Sequence, residues 1–130
     1  MVERVPPEAE VKYNKYVQLR DTYNAILQQR LAAESSLSEL EKVLERLNSL
    51  SDDAEVYRMT GFVLIRTTKA DLLKELQERK EDLELKIKAL KNQENLVKGE
   101  LERVASELQG ILQGLAGRQA GSAGSEGAGS

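Results

Sequence analysis

Two long stretches of this 130-residue chain repeat apolar residues at alternating spacings of three and four. The first stretch contains two interleaved sets with seven-residue spacing: Tyr16, Tyr23, Arg30, Leu37 and Leu44, and Leu19, Ile26, Ala33, Leu40 and Leu47. The second stretch contains Leu73, Lys80, Ile87, Glu94, Leu101, Leu108 and Leu115, and Leu76, Leu83, Leu90, Val97, Val104 and Ile111. A heptad repeat places an apolar seam along a helix, and the seam is buried against a second seam. The two repeats therefore predict a mainly α fold built on an antiparallel two-helix coiled coil.

Local signals set the expected bounds of the two helices. The prolines at positions 6 and 7 suit the first turn of a helix over about 8–50. Thr68 is a good N-cap for a second helix over about 69–114, and an acidic residue three positions later completes a capping-box-like start.

The end of the chain has a different composition. Gly114 and Gly117 are predicted to end the second helix. Residues 117–130 are rich in Gly, Ser and Ala and contain nothing to bury, so the sequence predicts a disordered tail there. A single domain is expected over residues 1–116.

Three charged residues, Arg30, Lys80 and Glu94, interrupt the predicted seams. In either of two antiparallel registers that match the apolar positions, Arg30 and Glu94 fall in adjacent layers. A charge-assisted contact between them would offset the cost of two charges in the seam and help to fix the register. In the alternative, both long side chains reach out to water without meeting.

Composition excludes several classes of function. The chain has no cysteine and no histidine, which excludes thiolate chemistry, the usual zinc sites and histidine-based acid–base catalysis. It has no phosphate-loop motif, and its carboxylates alternate with Lys and Arg as on solvated helix faces. The sequence therefore predicts no enzyme activity, cofactor or metal site.

The charge balance and hydropathy of the chain bear on its partners. A net charge of −3 with no basic block argues against nucleic acid as a partner. The longest apolar run, Phe62–Ile65, is far too short to span a bilayer, and the N-terminus has no apolar signal region. The expectation is a soluble, cytoplasmic protein without a membrane partner.

A short segment between the predicted helices, VYRMTGFVLIRT at 56–67, has a different pattern. It is rich in β-branched and aromatic residues around Gly61, which predicts a β-hairpin over about 55–67, inserted between the two helices. Both faces carry apolar side chains: Val56, Tyr57, Met59, Phe62, Val63, Leu64 and Ile65. An isolated two-stranded ribbon is marginal in water, so this hairpin is predicted to be a subunit-assembly element completed by strands of other chains. In the alternative, it folds back onto the helix ends as a cap.

Two segments resemble a known family. DDAEVYRMTGFVLIRTTK at 52–69 and KIKALKNQENLVKGEL at 86–101 are similar to archaeal prefoldin beta subunits, and the resemblance covers about residues 8–112. A single hairpin points to the beta type, because alpha-type subunits carry two. The resemblance implies a heterohexamer of two alpha-type and four beta-type subunits, in which the hairpins join into a double β-barrel. It also implies helical tips that hold unfolded polypeptides without ATP and pass them to a group II chaperonin.

The tips of such a hairpin would combine the start of the first helix with the end of the second. Apolar residues there are candidates for client binding: Val11, Tyr13, Tyr16, Val17, Leu19, Leu108, Ile111, Leu112 and Leu115. Leu27 is a further apolar residue off the seam. Adaptable apolar surface with a polar rim suits loose capture of unfolded chains. In the alternative, these are single exposed apolar residues of no special role.

The predicted function is therefore that of one subunit in a hexameric, ATP-independent holdase chaperone. The alternative is a passive coiled-coil scaffold or adaptor that dimerises through its seam, which would have no use for the hairpin. A nucleic-acid-binding helical arm is a third interpretation, and it would want a basic stripe and aromatic platforms that the sequence lacks.

Overall fold

The structure is a computed structural model that describes the backbone of residues 5–129 and the side chains of residues 5–117. It contains, in chain order, helix α1 (Pro7–Ser49), strands β1 (Val56–Thr60) and β2 (Val63–Thr67), and helix α2 (Lys69–Gly129). Two long helices with an antiparallel hairpin between them are the predicted fold class, which is confirmed.

The starts of both helices follow from local chemistry. Pro7 is the first residue of α1, and the carbonyl of Pro6 accepts a hydrogen bond from the Glu10 amide at 3.0 Å. Proline suits this position because its missing N–H would have no intrahelical partner there. At the start of α2, Thr68 Oγ1 accepts a hydrogen bond from the Asp71 amide at 3.1 Å, as expected of the predicted N-cap.

The end of α2 differs from the sequence-based expectation. The sequence places the end of this helix near residue 114 and a disordered tail over 117–130, whereas α2 continues to Gly129. Glycine weakens a helix by about 1 kcal/mol relative to alanine but removes no backbone hydrogen bond, and no proline follows to block the next turn. Ser130, the last residue of the predicted tail, lies outside the described residues.

The chain divides into two compact units. Among the described residues, the terminal unit comprises residues 5–25 and 93–129, and the hairpin unit comprises residues 26–92. In each unit an ion pair joins an α1 segment to an α2 segment: Lys12 to Glu107 in the terminal unit, and Glu34 to Lys91 in the hairpin unit.

Each unit has its own apolar core at heptad positions. In the hairpin unit the buried helical residues are Ile26, Ala33, Leu40, Leu44, Leu47, Ile87 and Leu90, all members of the predicted seams. In the terminal unit Ala9 and Val104 are fully buried. Ala9 lies seven residues before Tyr16, so the seam of α1 extends one heptad further towards the N-terminus than the sequence analysis placed it.

The hairpin has a two-residue loop. β1 pairs with β2 from Val56 opposite Thr67 to Thr60 opposite Val63, which leaves Gly61 and Phe62 as the connection. Gly61 has a φ of +59°, and Phe62, as a non-glycine residue, has a negative φ. These signs are those of a type II′ turn, whose twist matches that of the flanking strands.

Replacing Gly61 with alanine should destabilise the hairpin by about 1–2 kcal/mol, because a Cβ is disfavoured in the left-handed region. A Cβ at this position would meet nothing within 4 Å, so the effect isolates backbone strain. Hydrogen exchange of the strand amides would measure it, with Gly61→Asn as the milder control. Equal exchange in Gly61→Ala and the unaltered chain would contradict the assigned strain.

Candidate interaction surfaces

The hairpin leaves most of its apolar side chains exposed. Of the seven residues predicted to mediate assembly, Val56 is buried, and the others are exposed: Tyr57, Met59, Phe62, Val63, Leu64 and Ile65. Phe62, at the turn, is fully exposed. A hairpin folded back as a cap over the helix ends would bury one of its faces, so this exposure argues against the cap alternative.

The two faces of the hairpin have different surroundings. Successive residues of a strand point to opposite faces. Arg58 shares a face with Val56, and its Nη1 lies 3.1 Å from both carboxylate oxygens of Glu75 on α2. This face is therefore the one tied to α2.

The opposite side of the hairpin, here called the outer face, carries Tyr57 and Met59 from β1 and Leu64 and Arg66 from β2. Met59 lies directly opposite Leu64, and their exposed fractions are 72% and 62%. Near the root of the hairpin, the Glu55 carboxylate accepts a hydrogen bond from the Tyr57 hydroxyl at 3.3 Å and pairs with Arg66 at 3.4 Å. The outer face is therefore polar near the helices and apolar near the turn.

The edges of the hairpin are also open. The sheet has two strands, so within the described part of the chain each strand has a neighbour on one side only. Unpaired N–H and C=O groups along a strand edge form a template for pairing with another strand. Two open edges and an exposed apolar face suit the addition of strands from other chains.

A second surface lies in the terminal unit. A groove of about 420 Å³ is lined by Tyr13, Tyr16, Ala105, Leu108, Gln109, Leu112, Gln113 and Ala116. An adjoining groove of about 300 Å³ is lined by Val5, Ala9, Glu10, Tyr13, Leu108 and Leu112. Tyr13, Leu108 and Leu112 belong to both, so these three side chains form the ridge of one continuous apolar surface.

The structure brings together part of the predicted client-binding set. Tyr13, Tyr16, Leu108 and Leu112 line the grooves. The other predicted residues line neither groove: Val11, Val17, Leu19, Ile111 and Leu115. Val11 is well exposed, and the remaining four are half-buried. Leu27 belongs to the hairpin unit.

Sequence reasoning missed several lining residues. Gln109 and Gln113 are four residues apart, so they lie on the same face of α2, and both line the larger groove. Counting the heptads back one repeat from Tyr16 would have found Ala9. Val5 precedes α1 and carries no periodic signal.

Lys12 and Glu107 form an ion pair across the terminal unit, and Arg103 lies 3.9 Å from the same carboxylate. The hydrogen bond from Lys12, together with the positive charges of Lys12, Arg103 and Lys15, lowers the pKa of Glu107 below its ordinary value of 4.5. A carboxylate with a depressed pKa stabilises the folded state above its unfolded pKa, and this contribution disappears as the pH falls through the folded value.

An NMR titration of the Glu107 carboxyl should therefore show a midpoint below 4.5, and Lys12→Met should raise that midpoint. The terminal unit should also lose protection from hydrogen exchange as the pH falls below 4.5, because the Glu107 carboxylate is then progressively protonated and its ion pair with Lys12 is lost. Lys98→Met, a change at an exposed lysine of the same unit, is the control. An unchanged midpoint in Lys12→Met would contradict the assigned cause.

The charged seam residues have partners that the sequence did not predict. Arg30 pairs with Glu34 at 3.1 Å, and Glu34 also lies 3.8 Å from Lys91 of α2. Lys80 lies 4.0 Å from Glu84, one turn further along the helix. The contact between Arg30 and Glu94 stays a prediction.

Two further properties concern the described residues as a group. Neither helix contains a segment there that is long and apolar enough to cross a membrane. Within the same range, the carboxylates do not gather in groups of three or more that would hold a metal ion.

Comparison with known proteins identifies the family to which this architecture belongs. A family model described as prefoldin subunit matches residues 10–115. The chain belongs to the prefoldin subunit family. Prefoldin subunits are chaperone subunits and are not known as enzymes, so membership supports the same general role for this chain.

Three relatives of this prefoldin subunit are beta subunits of archaea. The beta subunit of Sulfurisphaera tokodaii is 37% identical over 112 residues, covering 86% of this chain and 90% of the relative. That of Saccharolobus islandicus strain L.S.2.15 is 35% identical, covering 86% and 89%. That of Pyrococcus abyssi is 29% identical, covering 86% and 96%. The predicted resemblance to archaeal prefoldin beta subunits is confirmed.

Solved structures give the same result. The prefoldin beta subunit of Thermococcus strain KS-1 superimposes with a TM-score of 0.77 at 29% identity, covering 85% of this chain and 97% of that one. The beta2 subunit of the same strain gives 0.63 at 22% identity, covering 70% and 97%, which supports the fold alone.

Proposed function

We propose that this chain is the beta-type subunit of a hexameric chaperone that contains two alpha-type and four beta-type prefoldin subunits. The complex captures non-native polypeptides without ATP and passes them to a group II chaperonin. It works in the cytoplasm and needs no cofactor.

The observation that carries this proposal is the state of the hairpin in a chain of this family. Six of its seven apolar residues are exposed, and both edges of its two-stranded sheet lack a further strand among the described residues. Burial of one such side chain contributes roughly 1.5–3 kcal/mol. Strands of neighbouring subunits would supply that burial and satisfy the backbone groups along the edges, as in other cases of strand addition.

The terminal unit supports a role in capture. Its grooves are open and mostly apolar. Tyr13, Leu108 and Leu112 line both grooves, and the two glutamines line the larger one. Such a surface can contact many apolar sequences without demanding one shape, which suits clients that have no fixed structure.

The competing function is a passive coiled-coil scaffold. It accounts for the heptad seams, but it leaves the exposed outer face and the open edges of the hairpin without a purpose. An aggregation assay distinguishes the chaperone from the scaffold.

A chemically denatured test protein is diluted into nucleotide-free buffer that contains this chain and an alpha-type prefoldin subunit, and light scattering is followed. The proposal predicts suppressed aggregation at near-stoichiometric complex, and recovery of native test protein once a group II chaperonin and ATP are added. Serum albumin at equal mass is the control for crowding. Aggregation equal to that control would favour the scaffold.

A further inference from the structure

The last turn of α1 is capped by a residue from another element. The final four carbonyls of a helix have no intrahelical partner. Here the Arg46 carbonyl accepts a hydrogen bond from Ser49 Oγ at 2.6 Å, and the Leu47 carbonyl accepts one from the Leu50 amide at 3.2 Å. The carbonyls of Asn48 and Leu50 accept hydrogen bonds from Lys69 Nζ at 3.3 and 2.7 Å.

This arrangement replaces the usual end of a helix. Many helices end on a glycine in the left-handed conformation. No glycine lies between α1 and β1, and Gly61 is the one described residue with a positive φ. The Lys69 ammonium therefore satisfies carbonyls that a local cap would otherwise satisfy.

Local preference alone would not place a lysine at this position. Lys69 is the first residue of α2, where the partial positive charge of the helix N-terminus disfavours a cation. Its side chain is nonetheless only 12% exposed, and it also lies 3.4 Å from Asp52 Oδ1. The C-terminus of α1 carries the opposite partial charge, so the non-local contact reverses the local penalty.

The contact also joins the two chain segments that flank the hairpin. Lys69 lies two residues after the end of β2, and its backbone acceptors, Asn48 and Leu50, lie at the end of α1, eight and six residues before β1. We propose that Lys69 is a positioning residue, which closes the base of the hairpin and holds its outer face and edges in one orientation for assembly. A second tie, from Arg58 to Glu75, fixes β1 to α2. Pre-organisation of this kind lowers the entropy lost when a hairpin joins a closed assembly.

The test compares three variants: Lys69→Met, Lys69→Arg and, as control, Lys74→Met. Lys74 is an exposed lysine of the same helix. Hydrogen exchange of the monomer reports on residues 50–67, and circular dichroism reports on the helices. Titration with an alpha-type prefoldin subunit gives the concentration for half-maximal assembly, a readout that rests on the proposed function.

Lys69→Met should raise exchange in residues 50–67 and the half-assembly concentration by at least about tenfold, because a hydrogen-bonded charge is lost. Its helical content and helix melting should match those of Lys74→Met. Lys69→Arg should recover much of both properties, because it keeps a cation of similar reach.

Three results would overturn the inference. The first is unchanged hydrogen exchange of residues 50–67 in Lys69→Met. The second is an equal increase of exchange in Lys69→Arg and Lys69→Met. The third is loss of helical content in Lys69→Met, which would mean that Lys69 stabilises the whole fold. If the unaltered chain does not assemble, the proposed function fails instead, and exchange in the monomer still decides the role of Lys69.

Discussion

Replacing both Met59 and Leu64 with glutamate should weaken assembly with an alpha-type prefoldin subunit by at least about 100-fold, as measured by native mass spectrometry across a dilution series. The two side chains lie opposite each other on the outer face of the hairpin and are largely exposed in the single chain. In the proposed assembly they are buried, where each contributes roughly 1.5–3 kcal/mol and where two carboxylates would meet a large desolvation cost.

The control for this variant is Leu85→Glu combined with Leu96→Glu. These leucines lie on α2 with exposed fractions of 67% and 71%, comparable to those of the outer-face pair. The control should assemble normally, and both double variants should keep the helical content of the unaltered chain. Normal assembly of the Met59 and Leu64 variant would remove the outer face from the interface.

Replacing Tyr13 and Leu112 with serine should raise the concentration needed for half-maximal suppression of aggregation by about tenfold or more. Both side chains line the two grooves of the terminal unit, and their exposed fractions of 55% and 44% limit the cost to folding. Assembly should be unaffected, because the hairpin is untouched.

Leu85→Ser combined with Leu96→Ser is the control for client capture. Both residues are well exposed, and neither lines a groove of the terminal unit. The control should suppress aggregation as the unaltered complex does. If both double variants lose activity equally, capture depends on total apolar surface and the grooves have no special role.

The sequence predicted the fold well because its two strongest signals are local. A heptad seam depends only on spacing along one helix, and Gly61 depends only on the backbone conformation of one turn. Residues such as Leu40 and Ile87 were therefore predicted in the core and are buried there. The turn type needed the structure, because the sequence did not fix which two residues form the loop; once Gly61 and Phe62 occupy it, a type II′ turn follows.

The candidate sites were predicted less completely because they depend on non-local geometry. Heptad spacing identifies seam residues such as Leu19 but does not show which side chains beside the seam line a groove, so Gln109 and Gln113 were missed. The contact of Lys69 with Leu50 joins the ends of two helices and contradicts the local preference for acidic residues in a first turn.

Native mass spectrometry of the unaltered chain, alone and mixed with an alpha-type prefoldin subunit, decides whether this chain is an assembly subunit. We expect a six-chain complex with four copies of this chain in the mixture, formed through the exposed hairpin. Monomers or simple dimers in both samples would contradict it, because the open edges and outer face of the hairpin would then have no partner in the assembly.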